Sequence, residues 1–270
     1  MITKETAISR KAFKAYDIRG RVPDELNEEM AYRIGRAYAR LFQAKSVAVG
    51  YDIRLTSLSL SGALKSGLTE AGCDVIDIGL CGTEQIYFAT FHLGLDGGIM
   101  VTASHNPQDY NGMKLVRTGA RPISGDSGLK ELEELVVTGE LKDIRPRATI
   151  GENEVAEESD AAKGQVPVGK VKSLNIMDDY IEHLLSYIDL DALRPLKVVA
   201  NAGNGCAGPV IDALAKHLPF EFIRLNHEPD GTFPNGIPNP LLPENRHSTV
   251  QAIREHGADV GIAWDGDFDR

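Results

Sequence analysis

Short apolar runs of strand length alternate along this chain with stretches of helical spacing, and that alternation narrows the fold more than any other feature. Ser46–Gly50, Val75–Gly79 and Gly98–Val101 are the first three runs. Leu26, Met30, Ile34, Tyr38 and Leu41 recur at helical spacing before them, with Arg33, Arg36 and Arg40 among the polar positions. Leu60, Leu64 and Leu68 line a second helix that stops at Ala71–Gly72. Ile86, Phe88, Ala89 and Leu93 suit a third helix, Met113–Val116 a further strand paired nearby, and Leu129–Val137 a closing helix. Strands that alternate with helices build a mainly parallel sheet covered on both faces. Ligands of such sheets bind beyond the carboxyl ends of the strands.

The pattern restarts after residue 170. Ile176, Tyr180, Leu184 and Ile188 share a helix face; Leu196–Ala200, Phe222–Leu225 and Val260–Trp264 read as strands, with helices around 211–218 and 248–256. Between the halves, 151–160 is acidic and 164–169 is loop-like, which marks a linker or exposed junction. The expected fold is α/β: two consecutive mixed, mainly parallel three-layer α/β/α domains over 1–150 and 171–270, joined by 151–170. No fixed-period repeat relates the halves. The chain stops at Arg270 inside an acidic loop, so the second domain is expected to lack at least its next strand.

With 270 residues, 42% of them hydrophobic, the chain can build one large core or two ordinary ones. Its 29 Lys and Arg against 39 Asp and Glu give a formal net charge of −10. That argues against nucleic acid or an anionic membrane as partner, because both require a basic face. Cys73, Cys81 and Cys206 have neither metal-type spacing nor an even count, and read as reduced thiols. Met1–Gly20 lacks the apolar core of a signal peptide, and no apolar run approaches membrane-spanning length. The expected location is the cytoplasm.

Two loops carry chemistry. Thr102-Ala103-Ser104-His105-Asn106-Pro107 follows the third strand directly. A serine hydroxyl there becomes a nucleophile only with help from a base, a cation or local dipoles. His105 and Lys114 can supply it, provided Asn106–Pro107 turns the chain so that neighbouring side chains meet. A hydroxyl that merely caps a loop is the bland alternative. The second loop is Asp265-Gly266-Asp267-Phe268-Asp269-Arg270, where alternating carboxylates converge if Gly266 lets the chain curl. Hard oxygen ligands suit Mg²⁺ or Ca²⁺, although Arg at the sixth position disagrees with an EF-hand. An Asp-x-Asp phosphatase loop with an aspartate nucleophile and a plain acidic surface turn are the rivals. Arg270 favours a bound phosphate, which a guanidinium grips bidentately.

Weaker signals are Arg19 within Lys14–Gly20, able to reach a phosphate but read first as a surface arginine at a turn, and the glycine-rich turn 201–208, which reads as a packing turn. Arg54, Lys65 and Arg117 are expected on solvated faces. Three readings follow: metal-assisted phosphoryl transfer through Ser104, a Mg-dependent sugar phosphatase, and a non-catalytic fragment or binding module.

Tyr16–Gly20, Thr102–Pro107, Asn111–Lys114 and Asp265–Arg270, in that order and at these separations, resemble the α-D-phosphohexomutases. Gly79–Glu84 and Phe233–Pro240 resemble the bacterial phosphomannomutase branch, and the resemblance covers essentially the whole chain. It implies that Ser104 is a phosphoserine that donates and reclaims a phosphoryl group. It implies Mg²⁺ held by Asp265, Asp267, Asp269 and a phosphoserine oxygen, with Arg270 on the same phosphoryl group. Arg19, Tyr16, His105, Asn106 and Lys114 would surround the transfer site, Lys114 and His105 in acid–base or charge-stabilising roles. The implied reaction is reversible conversion of mannose 6-phosphate to mannose 1-phosphate through a hexose 1,6-bisphosphate. Members of the family continue into a third, sugar-selecting domain and a fourth that binds the non-transferring phosphate. This chain alone is therefore expected to turn over weakly or not at all.

Overall fold

In the computed structural model the described residues are 8–139 and 168–270. The acidic stretch 151–160 and most of the expected junction lie outside them.

The first sheet contains β1 (Ile18–Arg21), β2 (Ser46–Tyr51), β3 (Asp74–Leu80), β4 (Gly97–Val101), β5 (Tyr110–Arg117), β6 (Arg121–Pro122) and β7 (Val171–Ser173). Its order is β1-β5-β4-β2-β3-β7, with β6 on β5. The neighbours β4, β2, β3 and β7 run parallel, and β1, β5 and β6 make the antiparallel pairs. Every residue of β4 is buried, which is why its sequence is apolar without alternation. The helices are α1 (Glu28–Leu41), α2 (Ser57–Glu70), α3 (Thr83–His92) and α4 (Lys130–Thr138). Val47, Val49 and Ile99 face α1, α2 and α4, whereas Ala48 and Met100 face α3. The result is the expected three-layer arrangement.

Helix α1 starts where Asn27 Oδ1 accepts from the Met30 amide at 3.0 Å. Glu28 and Glu29 in its first turn complement the helix dipole. Its buried stripe, Met30, Ile34 and Tyr38, is the one its spacing predicts. It crosses α2 so closely that a Cβ on Gly35 would strike the Leu64 carbonyl, and one on Gly67 the Tyr32 carbonyl.

The second sheet has β8 (Lys197–Asn201), β9 (Glu221–Leu225) and β10 (Val260–Ala263), all parallel, in the order β10-β8-β9. Helices α6 (Ala207–Leu214) and α7 (His247–His256) connect them, and α5 (Met177–Leu185) precedes them. The order matches β4-β2-β3 in the first sheet, so one βαβαβ unit occurs twice without any sequence period. In both units the chain leaves the middle strand to one side and returns on the other. The crevice between β2 and β4, and that between β8 and β10, is where such a sheet accepts ligands. The Ser104 loop leaves β4 and the Asp265 loop leaves β10 at those two places.

Three expectations need correction. Residues Ile18–Arg21 form the strand β1, not the turn expected around Arg19, because antiparallel β5 pairs with them over Ile18–Met113 to Arg21–Tyr110. Val171–Ser173 belongs to the first sheet, in register with Val75–Asp77, although residue 171 was expected to open the second domain. Finally, α5 ends at Leu185, so Ile188 lies past it and is 43% exposed. Helix α5 is wedged between the units: Ile176, Tyr180 and Ile181 pack with Ile86 and Phe88 of α3 and with Val210 of α6. Among the described residues no helix is long and apolar enough to cross a membrane.

Gly67→Ala should lower the unfolding free energy by about 1–3 kcal/mol, since a backbone clash between two packed helices cannot be relieved by a rotamer change. Urea titration followed by circular dichroism measures this; a variant as stable as wild type would contradict the close crossing.

Candidate active site

Ser104 lies just past β4, fully buried, in the left-handed region with φ of 52°. Its amide donates to Thr102 Oγ1 at 2.8 Å, and Thr102 Oγ1 donates to Asp52 Oδ2 at 2.7 Å. The next residues fold back: the Asn106 amide and its side-chain Nδ2 both donate to the Ala103 carbonyl at 2.9 Å. Arg19 Nη1 donates to the same carbonyl at 3.1 Å, while its Nε pairs with Asp17 at 2.8 Å. The turn expected from Asn106–Pro107 therefore exists, and it brings His105 Nδ1 to 3.1 Å from Ser104 Oγ.

The Asp265–Arg270 loop comes down onto this turn. Ser104 Oγ donates to Asp265 Oδ2, and Arg270 Nη1 donates to Ser104 Oγ. Arg270 Nη1 is also 2.9 Å from Asp265 Oδ2 and 3.0 Å from His105 Nδ1. The loop curls because Asp265 N donates to the Arg270 carbonyl at 3.1 Å and Phe268 takes a left-handed φ of 49°. Gly266 is required: a Cβ there would sit 2.9 Å from the Ser104 carbonyl oxygen. The glycine-rich turn 201–208 packs against the loop's underside, where Cys206 N donates to the Gly266 carbonyl at 3.0 Å. This is the packing role its sequence indicates.

Lys114, on β5, reaches across from the first sheet. Its Nζ is 2.6 Å from Asp267 Oδ2 and 2.6 Å from Asp269 Oδ2. Thr83 Oγ1 donates to Asp267 Oδ2 at 2.6 Å, and the Thr83 amide to the Asp267 carbonyl at 3.0 Å. Carboxylate oxygens of Asp265, Asp267 and Asp269 all lie within 4.8 Å of one another. Asp267 Oδ1 and Asp269 Oδ1 are buried without a hydrogen-bond donor, Arg270 Nη1 being 3.4 Å from the latter. Converging hard oxygen donors with unfilled lone pairs suit a divalent cation such as Mg²⁺.

Burial, the neighbouring charge of Asp267 and that of Asp269 push Asp265 up to about 6, against the opposing Ser104 bond and Arg270. Burial also works against ionisation of Asp267, but Lys114 and the hydrogen bonds from Lys114 and Thr83 outweigh it and hold that carboxyl below its ordinary value. The Lys114 ammonium, disfavoured by burial, is held above its ordinary value by Asp267 and Asp269. Burial, then Arg270 and Arg19, lower His105, so its imidazole is neutral at neutral pH.

Of the residues expected at the site, Ser104, His105, Asn106, Lys114, Arg19, Asp265, Asp267, Asp269 and Arg270 are gathered into this connected set. Tyr16 is not: it is 80% exposed and, among the described residues, outside the network. Two expected solvated charges are corrected. Arg54 is 3% exposed and bonds to main-chain carbonyls of the Ser104 turn, because this turn carries acceptors that need a buried donor. Lys65 pairs with Asp77 at 2.5 Å, both side chains 16% exposed. Arg117 is exposed, as expected. Sequence reasoning missed Asp52, Arg54 and Thr83. The available signal was position: Asp52–Arg54 follows β2 as Thr102–Ser104 follows β4, on the other lip of the same crevice.

Residues 10–142 match the phosphoglucomutase/phosphomannomutase α/β/α domain I, and residues 178–270 match α/β/α domain II. The chain belongs to the phosphoglucomutase/phosphomannomutase family. A phosphomannomutase of Salmonella montevideo is 57% identical over 263 residues, covering 96% of this chain and 54% of the relative. Phosphohexose mutases of Xanthomonas campestris are 58% identical over 259 residues, covering 96% of this chain and 53% of the relative. The crystal structure of a family protein from Burkholderia thailandensis superposes with a TM-score of 0.80 at 36% identity, over 96% of this chain and 53% of that one. The chain thus spans about half the length of the curated relatives it matches.

Within this family member the carboxylate cluster should cost stability while no cation is bound. Asp265 is raised from its ordinary 3.8 to about 6, so its contribution to folding is full below the ordinary value and is lost as pH rises through about 6. In metal-free buffer above that pH, Asp265→Asn should raise the unfolding free energy by about 1–3 kcal/mol. The gain should vanish in acid. Denaturant titration at the two pH values checks it, and a destabilised Asp265→Asn in alkaline buffer would refute the charge-repulsion account.

Proposed function

We propose that this chain carries the phosphoryl-transfer centre of a phosphohexomutase. Ser104 is its phosphoryl carrier, and the interconverted substrates are hexose 6- and 1-phosphates, mannose 6-phosphate and mannose 1-phosphate first among them. One observation carries the reading: the Ser104 hydroxyl is bonded at once to Asp265 and to Arg270, with His105 Nδ1 3.1 Å away. The chain's family membership and its likeness to proteins named phosphomannomutase support the same reaction class.

In the forward half-reaction a hydroxyl oxygen of the sugar phosphate attacks the phosphorus of phosphoserine. The bond from phosphorus to Ser104 Oγ breaks, and the hydroxyl proton ends on Oγ, so the products are a hexose 1,6-bisphosphate and free serine. The second half-reaction reverses these bonds at the other phosphate. Such transfers depend on positioning and on neutralising charge rather than on covalent machinery. Arg270 stabilises the charge that develops on Oγ. His105, neutral and adjacent, relays the proton. Lys114 is a fixed positive charge rather than a base, because two carboxylates keep it protonated. Arg19 and Asn106 hold the Ala103 carbonyl and so fix the turn that presents Oγ; Arg19 also sets a cation beside the incoming phosphate. Asp265, Asp267 and Asp269 would hold Mg²⁺ together with a phosphoserine oxygen; when bound, the cation supplies Lewis-acid neutralisation of the transferring phosphoryl group.

Incubation with a hexose 1,6-bisphosphate and Mg²⁺ should add one phosphoryl group to the protein, mapped by peptide mass spectrometry to Ser104 and absent in Ser104→Ala. Phosphate recovered on an aspartate of the 265–269 loop, labile to hydroxylamine, would replace this reading with the phosphatase one. No phosphate at all would leave a non-catalytic binding module.

A further inference from the structure

The Arg54 guanidinium is buried past the carboxyl end of β2, and no role has been assigned to it above. Each of its two terminal nitrogens carries two hydrogens. Nη2 donates to the carbonyls of Ser104 at 2.9 Å and Asn106 at 2.6 Å; Nη1 donates to those of Pro107 at 2.8 Å and Tyr110 at 3.0 Å. All four terminal hydrogens are thus spent on one segment of main chain. Nε lies 3.5 Å from Asp52 Oδ2. Asp52 is fixed in turn by Ser57 Oγ at 2.5 Å and by Thr102 Oγ1, the same hydroxyl that receives the Ser104 amide.

The second unit covers the guanidinium. The Phe233 ring centroid lies 5.6 Å from its central carbon, within range of a cation–π contact. The loop that carries Phe233 is docked on the same segment: Gln108 Nε2 is 3.4 Å from the Gly231 carbonyl and 3.3 Å from that of Thr232. Gly231 has no room for a side chain, since a Cβ would run into the Ile53 carbonyl.

We propose that Arg54 is the positioning residue of the Ser104 turn: it clamps residues 104–110 from behind, holds Ser104 in its left-handed conformation, and links that turn to the 230–233 loop of the second unit. This rests on the reading of Ser104 as the phosphoryl carrier. A non-glycine residue at positive φ is strained, and persists only where its surroundings over-determine it. A salt bridge to Asp52 alone would need one edge of the guanidinium; the four carbonyl bonds use the rest of it. Lysine cannot substitute, because an ammonium offers three hydrogens from a single point rather than a planar fork. The role is one of geometry: Arg54 bonds to carbonyls, not to Oγ, so it fixes where the hydroxyl points without touching substrate.

The test uses Arg54→Lys and Phe233→Leu in the 270-residue chain, read by hydrogen–deuterium exchange and by the rate of phosphoryl uptake from hexose 1,6-bisphosphate. In Arg54→Lys, exchange over 103–110 should rise about tenfold, with peptides of α1 and β3 unchanged. The maximal uptake rate should fall about 100-fold, as expected for a misplaced nucleophile, with an unchanged half-saturating bisphosphate concentration. Phe233→Leu should shift both readouts in the same direction by less. A folded Arg54→Lys with wild-type exchange over 103–110, or with a wild-type uptake rate, overturns the proposal. So does an uptake defect that appears only in the half-saturating concentration. Should Arg54→Lys not fold, Phe233→Leu decides: selective loosening of 103–110 upholds the clamp, and uniform or absent loosening refutes it. If wild type takes up no phosphate, the carrier reading fails, while the exchange measurement still decides whether Arg54 holds the turn.

Discussion

Three carboxylates with oxygens inside 4.8 Å of one another would drive the second unit's loop apart if nothing opposed them. Lys114 and Arg270 oppose them, and the two cations come from different places. Arg270 belongs to the carboxylate loop itself, whereas Lys114 projects from β5 of the first sheet. Breaking a buried ion pair by removing one partner is far more costly than the pair is favourable, so the loop's docking on the first unit depends on Lys114. The remaining contacts follow this constraint. Thr83 at the start of α3 binds Asp267, Ser104 binds Asp265, and Gly82 has to be glycine because the Phe268 ring occupies the space of a Cβ.

The same economy explains the Ser104 turn. A buried loop exposes backbone acceptors that no sheet satisfies, and each unmet acceptor is costly. Arg19 and Asn106 serve the Ala103 carbonyl, and Arg54 serves those of Ser104, Asn106, Pro107 and Tyr110. Polar side chains therefore replace the ladder that β4 loses when it ends. A rigid turn results, held by these side chains, and the Ser104 hydroxyl mounted on it is held to one direction.

Much of this was legible in the sequence. The strands and helices of both units follow from apolar runs and from stripes such as Met30, Ile34 and Tyr38, because burial and period are written in the same residues. The Ser104 and Asp265 loops were readable because chemistry-bearing residues cluster directly after apolar runs. What escaped has a common physical cause. β1 and β7 are short edge strands whose identity comes from a partner far along the chain, β5 for one and β3 for the other. Arg54 looks like any surface arginine until the carbonyls of residues 104–110 are placed around it. Thr83 is an unremarkable helix start until Asp267 arrives 184 positions later. Local patterns record what a segment buries, but not which distant acceptor or charge it will meet.

The repeated βαβαβ unit gives the site its logic. A doubly wound sheet opens one crevice, between the strands where its winding reverses, and a single crevice supplies loops from one sheet only. Here the crevice of β2 and β4 contributes a hydroxyl, an imidazole and a buried guanidinium, and the crevice of β8 and β10 contributes carboxylates and Arg270. Neither set is self-sufficient: the serine hydroxyl has no cation from its own loop, and the carboxylate cluster needs Lys114 from the first sheet to balance its charge. Docking two copies of one architecture at their carboxyl ends brings the two sets into hydrogen-bond contact while each sheet keeps its own core. The candidate site therefore lies where the two units meet, and α5 packs against both α3 and α6, one from each unit.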